Sequence, residues 1–190
     1  IMGGPGDDVL DGGDGDDVLR GQDGVDVFRG GACSDTADFS MESPFQLLVN
    51  LEQNIASGGT ASGDTFYSIE NLIGSDDRID RFIGTAADNH FLGRGGGDVF
   101  NGRDGNDILD GGADGDILYG EGGNDTLIGG AGQDYLDGGA GIDTVVYTGS
   151  SAGVTVDLAN GTASGGDADG PVQIVGRGTT IRHDILANFE

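Results

Sequence analysis

Aspartate recurs every nine residues at Asp8, Asp17, Asp26 and Asp35, and again at Asp98, Asp107, Asp116, Asp125, Asp134 and Asp143. Such a period places one carboxylate at the same point of every turn of a repeating coil, and stacked carboxylates are chemistry for a hard cation. Other reactive groups are scarce. The single cysteine, Cys33, can form no intrachain disulfide and lacks partners spaced for zinc, so it reads as a tolerated substitution. His90 and His183 stand far apart with no HExxH around either, and are expected to be ordinary surface residues. No nucleophile is paired with a base, so catalysis within this sequence is not expected.

Composition narrows the partners. The 190 residues carry a formal charge of -26, with 8 Lys and Arg against 34 Asp and Glu, which argues against nucleic acid. Glycine supplies 41 residues and proline only 3, so neither a collagen triplet nor a proline-rich linker accounts for the glycine. An acidic, glycine-rich chain resists compaction, but disorder would not keep Gly, Asp and an apolar residue at fixed offsets. No stretch approaches the ~20 apolar residues of a membrane span, and no signal-peptide pattern opens the sequence. The pattern breaks off at the last segment and the first residue is Ile, so an excised fragment of a larger parent is expected.

The elements that must position the aspartates follow from the unit Gly-Gly-x-Gly-x-Asp-x-apolar-x. A first block over 1–38 reads GGPGDDVLD, GGDGDDVLR, GQDGVDVFR and GGACSDTAD; a second over 75–146 runs from SDDRIDRFI and GTAADNHFL to GGAGQDYLD and GGAGIDTVV. Position six is Asp throughout these units except at Asn89. Position eight is Leu10, Leu19, Phe28 and Ala37, then Phe82, Phe91, Phe100, Leu109, Leu118, Leu127, Leu136 and Val145. One inward residue per short β-prone triplet cannot form a core alone, but stacked coils would bury it. Glycine at positions one, two and four supplies turn conformations that side chains disfavour. At position four Cys33, Arg78, Ala87 and Asp114 depart, so those turns are expected to be strained or remodelled. Between the blocks, a connector over 39–74 shows strand-like alternation at Leu47, Val49 and Leu51. A second connector over 147–190 repeats it at Val154, Val156 and Leu158, carries an insertion around Pro171–Ile181 and ends in HDILANFE.

The units GGDGDDVLR, GRDGNDILD and GGAGQDYLD resemble the RTX, or hemolysin-type calcium-binding, nonapeptide. The connectors, with VTVDLANGTASGGDADG and DTFYSIENLIGS, resemble those joining such blocks in large secreted bacterial proteins. The resemblance implies an all-β, right-handed parallel β-roll, a calcium-bound solenoid with two repeats per coil. In that family each ion is held by the Asp and the carbonyls of positions two and four of one repeat, with the Asp and the carbonyls of positions one and three two repeats later.

Carried onto this chain, the implied pairs are Asp8–Asp26, Asp17–Asp35, Asp80–Asp98, Asn89–Asp107, Asp98–Asp116, Asp107–Asp125, Asp116–Asp134 and Asp125–Asp143. The implied carbonyls in the first block are those of Gly4, Gly6, Gly13, Gly15, Gly21, Asp23, Gly30 and Ala32. In the second they are those of Gly93, Gly95, Gly96, Gly102, Asp104, Gly105, Gly111, Gly112, Ala113, Gly120, Gly122, Gly123, Gly129, Ala131, Gly138 and Ala140. The family's Ser-Ile-Glu connector motif adds Ser68 and Glu70 beside Asn89. Neutral Asn89 should weaken its site, and the irregular GSDDRIDRFIG segment disturbs the one at Asp80.

An all-oxygen ligand set suits calcium better than magnesium, which demands a tight octahedron. About eight Ca2+ ions are expected, and with them a module of a secreted or cell-surface bacterial protein that folds on meeting extracellular calcium and so aids export by type I secretion. The alternatives are an adhesin or polysaccharide-binding repeat, or a non-catalytic module attached to a secreted protease, lipase or alginate epimerase. Expected contacts are calcium, neighbouring domains of the parent and a glycan or surface. An ice-binding face is disfavoured, because position three carries no Thr ladder.

Overall fold

The computed structural model describes residues 1–41 and 46–147, and beyond them two short strands. The first block supplies β1 (Val9–Asp14), β2 (Val18–Leu19), β3 (Val27–Ala32) and β4 (Thr36–Asp38). The connector supplies β5 (Leu47–Asn50), β6 (Ile55–Ser57), a 3-10 turn at Gly59–Ala61, β7 (Thr65–Tyr67) and β8 (Asn71–Ile73). The second block gives β9 (Asp80–Ile83), β10 (His90–Leu92), β11 (Val99–Asp104), β12 (Ile108–Ala113), β13 (Ile117–Gly122), β14 (Thr126–Ala131), β15 (Tyr135–Asp137) and β16 (Thr144–Val145). The remaining pair, β17 (Thr155–Asp157) and β18 (Thr162–Ser164), is antiparallel. The insertion at 171–181 and the terminal HDILANFE lie outside the described residues.

These strands stack as an all-β parallel solenoid. Val9 pairs with Val27, Ile108 with Thr126 and Val99 with Ile117, so each step along a wall is 18 residues, or two nonapeptides per coil. One wall is a seven-stranded sheet in the order β16-β14-β12-β10-β8-β4-β2. The opposite wall is divided into β1-β3-β7 and β15-β13-β11-β9-β5-β6, because β5 and β6 pair antiparallel. Thus the connector completes one wall through β8 and interrupts the other.

Position eight fills the space between the walls. Every residue there from Leu10 to Leu136 is buried, and half-buried Val145 and Tyr147 pack against this core. Phe82 stacks on Phe100 at 4.9 Å between centroids, and Phe91 of the facing wall meets both edge-on at 5.6 and 5.7 Å. Ala37 leaves space that Phe39 occupies, against Phe28 and Phe66. The strands outgrow the expected triplet: β1, β3 and β11 to β14 each have 6 residues. Their ladders continue past the triplet, as at Gly13–Gly31 and Gly112–Gly130, so the first half of each turn still pairs with its neighbour.

Candidate metal centre

Each turn has two kinds of glycine. Positions two and four hold positive φ, for example +93° at Gly13, +112° at Gly15 and +120° at Gly105, a region costly for side chains. Position one does not need it. There a Cβ would run into the Asp five residues later: one on Gly21 would strike Asp26, one on Gly93 would strike Asp98, and one on Gly111 would strike Asp116. The expectation that all three glycines serve turn conformation is therefore corrected; position one is small so that the carboxylate can lie against the backbone. Of the four departures at position four, Cys33 and Asp114 adopt φ of 84° and 73°, whereas Arg78 and Ala87 avoid the left-handed region in remodelled turns.

The aspartates meet as their spacing requires. Backbone N–H groups of Asp8, Asp17, Asp80 and Asn89 donate to Oδ1 of Asp26, Asp35, Asp98 and Asp107 at 2.7–2.9 Å. Those of Asp98, Asp107, Asp116 and Asp125 donate to Oδ1 of Asp116, Asp125, Asp134 and Asp143 at 2.7–3.1 Å. All eight implied pairs are thus adjacent on the two turn edges. The second carboxylate oxygen, Oδ2, is buried without a hydrogen-bond partner in Asp17, Asp26, Asp35, Asp98, Asp107, Asp116, Asp125 and Asp143.

Carbonyls converge on the same edges. Those of Gly6, Gly13, Ala87, Gly105 and Gly112 lie where a Cβ on Gly24, Gly31, Gly105, Gly123 or Gly130, two repeats later, would have to sit. In the opposite direction, position-one carbonyls of Gly21, Gly30, Gly102, Gly111 and Gly138 face Gly3, Gly12, Gly84, Gly93 and Gly120. Position-three carbonyls of Asp23, Ala32 and Ala140 accept from Gly6, Gly15 and Gly123 N–H, which leaves one lone pair on each.

A row of buried carboxylates beside carbonyl oxygens is costly unless a cation offsets it. Arg20 pairs with Asp38, Arg78 with Asp77, Arg94 with Asp76 and Arg103 with Glu52, and none of these four pairs includes a position-six aspartate. Burial pushes Asp98 up to about 8, Asp107 and Asp116 to about 7 and Asp125 to about 6, with neighbouring aspartates adding to the rise and the backbone N–H bond opposing it. Asp38 differs: burial raises it, but Ser40 and the Arg20 guanidinium outweigh burial and hold it below the ordinary carboxylate range. No group of three or more His, Cys, Asp or Glu side chains gathers among the described residues, so an ion here would depend on carbonyls as well as the paired carboxylates. The oxygen-only donors and the partnerless Oδ2 atoms fit calcium.

The irregular rungs differ in detail. Asp80 exchanges the roles of its oxygens: Oδ2 accepts from both N–H and Oγ of Ser75, while Oδ1 is the buried oxygen without a partner. Asn89 places its amide nitrogen on the Glu70 carbonyl at 2.8 Å and its Oδ1 on the Thr85 N–H. Glu70 occupies a position-six place, since Asn71 pairs with Thr36 below and His90 above. Its Oε2 accepts from Asp35 N–H at 3.0 Å and its carbonyl accepts from the Asn89 amide nitrogen, so Glu70 stands between Asp35 and Asn89 on one edge. The Ser68 side chain is exposed, and its carbonyl abuts Gly30 as a position-one carbonyl would. The connector turn is short here, and the longer Glu side chain makes up the reach.

Two features escape the nonapeptide pattern. Asp64, only 1% exposed, accepts from Asp26 N–H at 2.7 Å. Its signal was Gly59 and Phe66 at the flanking offsets, within GTASGDTFY. A second ladder follows position five on the surface: Asp7, Asp16, Asp88, Asn106 and Asn124 each accept from the N–H two repeats later.

The profile of the RTX calcium-binding nonapeptide repeat (4 copies) matches this chain at 2–37, 74–109, 83–118 and 110–145. No curated protein matches it.

Proposed function

Because the chain belongs to the RTX calcium-binding nonapeptide repeat family, whose repeats bind calcium, we propose that it is a module that folds on exposure to extracellular calcium and thereby aids secretion and folding of a larger exported protein. The observation that carries this is the row of eight buried, partnerless Oδ2 atoms. Without calcium the ladder places like charges side by side away from water; with calcium the same atoms become ligands. A site at about 100-fold its dissociation constant contributes ~2.7 kcal/mol, and several sites add. Extracellular calcium modules bind at roughly 0.1–1 mM, between cytosolic and external calcium. The family is typical of secreted bacterial proteins, which agrees with this sequence of events.

The implied pairs, together with Asp35–Glu70, are the proposed rungs, and 1–38 and 75–146 act as two loaded blocks joined by 39–74. The role is non-catalytic, and any reaction belongs to the parent chain. Circular dichroism during a calcium titration tests the proposal: a cooperative gain of β signal is expected at sub-millimolar to millimolar calcium. A full β spectrum in excess chelator at or above about pH 8, where the ladder carboxylates are ionised, would overturn it.

A further inference from the structure

We infer that Asp26 and Asp64 hold a further calcium ion, at a site formed between a nonapeptide and the connector. It rests on the calcium-binding reading above and extends it to a residue outside the repeat pattern. Residues 59–67 form a disguised repeat: Thr65 pairs with Val27 and Phe66 with Phe28, so Asp64 stands over Asp26 as Asp26 stands over Asp8. The hydrogen bonds agree, since Asp26 N–H donates to Asp64 Oδ1 as Asp8 N–H does to Asp26 Oδ1.

Neither carboxylate faces solvent: Asp26 is 0% and Asp64 1% exposed. Asp26 Oδ2 has no hydrogen-bond partner, and no described ion pair involves either residue. Burial first, and then the charge of Asp26, raise Asp64 to about 7 against the hydrogen bond that lowers it. Two stacked carboxylates with this little compensation are the motif found at every regular rung. The lower half of the cradle is also built, because Gln22 and Gly24 keep the positive φ, 76° and 147°, of positions two and four. The upper half is a 3-10 turn in place of the glycine turn, so Asp64 must supply more of the attraction.

Calcium bound per full chain, counted at saturating calcium by native mass spectrometry, decides the matter. Asp64→Asn, which keeps the hydrogen-bond acceptor and removes the charge, is expected to lose one ion while retaining the β spectrum. Asp26→Asn is expected to lose two and Asp8→Asn one. An unchanged count in folded Asp64→Asn, or equal losses in Asp26→Asn and Asp8→Asn, overturns the site while the calcium module stands. A wild-type chain that binds no calcium removes both. Should Asp64→Asn fail to fold, the comparison of Asp26→Asn with Asp8→Asn gives the answer alone.

Discussion

At the scale of the residue, an aspartate's importance depends on how many neighbours it has along its edge. Asp116 accepts from Asp98 below and donates to Asp134 above, so Asp116→Asn is expected to weaken two sites, whereas Asp8→Asn weakens one; calorimetric stoichiometry separates them. Asn89 is the reverse case. Its amide nitrogen already fills the gap to the Glu70 carbonyl, and Asn89→Asp exchanges that donor for a second acceptor. The variant is expected to bind calcium more tightly, with its folding midpoint at lower calcium; a midpoint shifted upward would refute the role given to the residue. Position-one glycine adds a sterically defined expectation. Gly111→Ala drives a methyl into the Asp116 carboxylate, and overpacking of this kind costs about 1–3 kcal/mol, visible as a higher calcium midpoint.

At the scale of the element, each strand owes its stability to the coil above and the coil below. Phe100 is fully buried among Phe82 and Phe91, so Phe100→Ala is expected to cost about 3–5 kcal/mol, measured by denaturant unfolding at fixed calcium. The period of nine made the inward residue, the turn edge and the two-repeat step legible from sequence alone. What it could not convey was where one coil is built from fewer residues or from different ones. Glu70 follows Asp35 after 35 residues and Asn89 follows Glu70 after 19, and no fixed period links steps of such unequal length. Asp64 was missed because only its glycine, aspartate and phenylalanine keep the offsets. Position one was misjudged because a glycine needed for space and one needed for positive φ look identical as letters.

At the scale of the whole molecule, protons and calcium compete for the same carboxylates. In the metal-free solenoid the values near 6 to 8 at Asp98, Asp107, Asp116 and Asp125 lie above the ~4 of an unfolded aspartate. The folded state therefore holds more protons than the unfolded one. The contribution of these four carboxyls to stability is greatest below about pH 4 and is lost as pH rises through those values. In chelator, the β signal is expected to grow as pH falls from about 8 to about 5, with these carboxyls protonated in the fold. Calcium binding at neutral pH should release protons, and acid should weaken it, because ligand carboxylates must be ionised. A weakly buffered titration without proton release would contradict this.

The unequal walls give the molecule a mechanical character. One wall runs unbroken from β2 to β16, while the other is cut where β5 and β6 intervene. A rod with one continuous flange and one notched flange bends most easily at the notch. Under axial tension β8 is, among the described strands, the one rung of the uncut side that spans it, so the first yield is expected between β4 and β10. Compliance is thus localised at one level of an otherwise uniform stack.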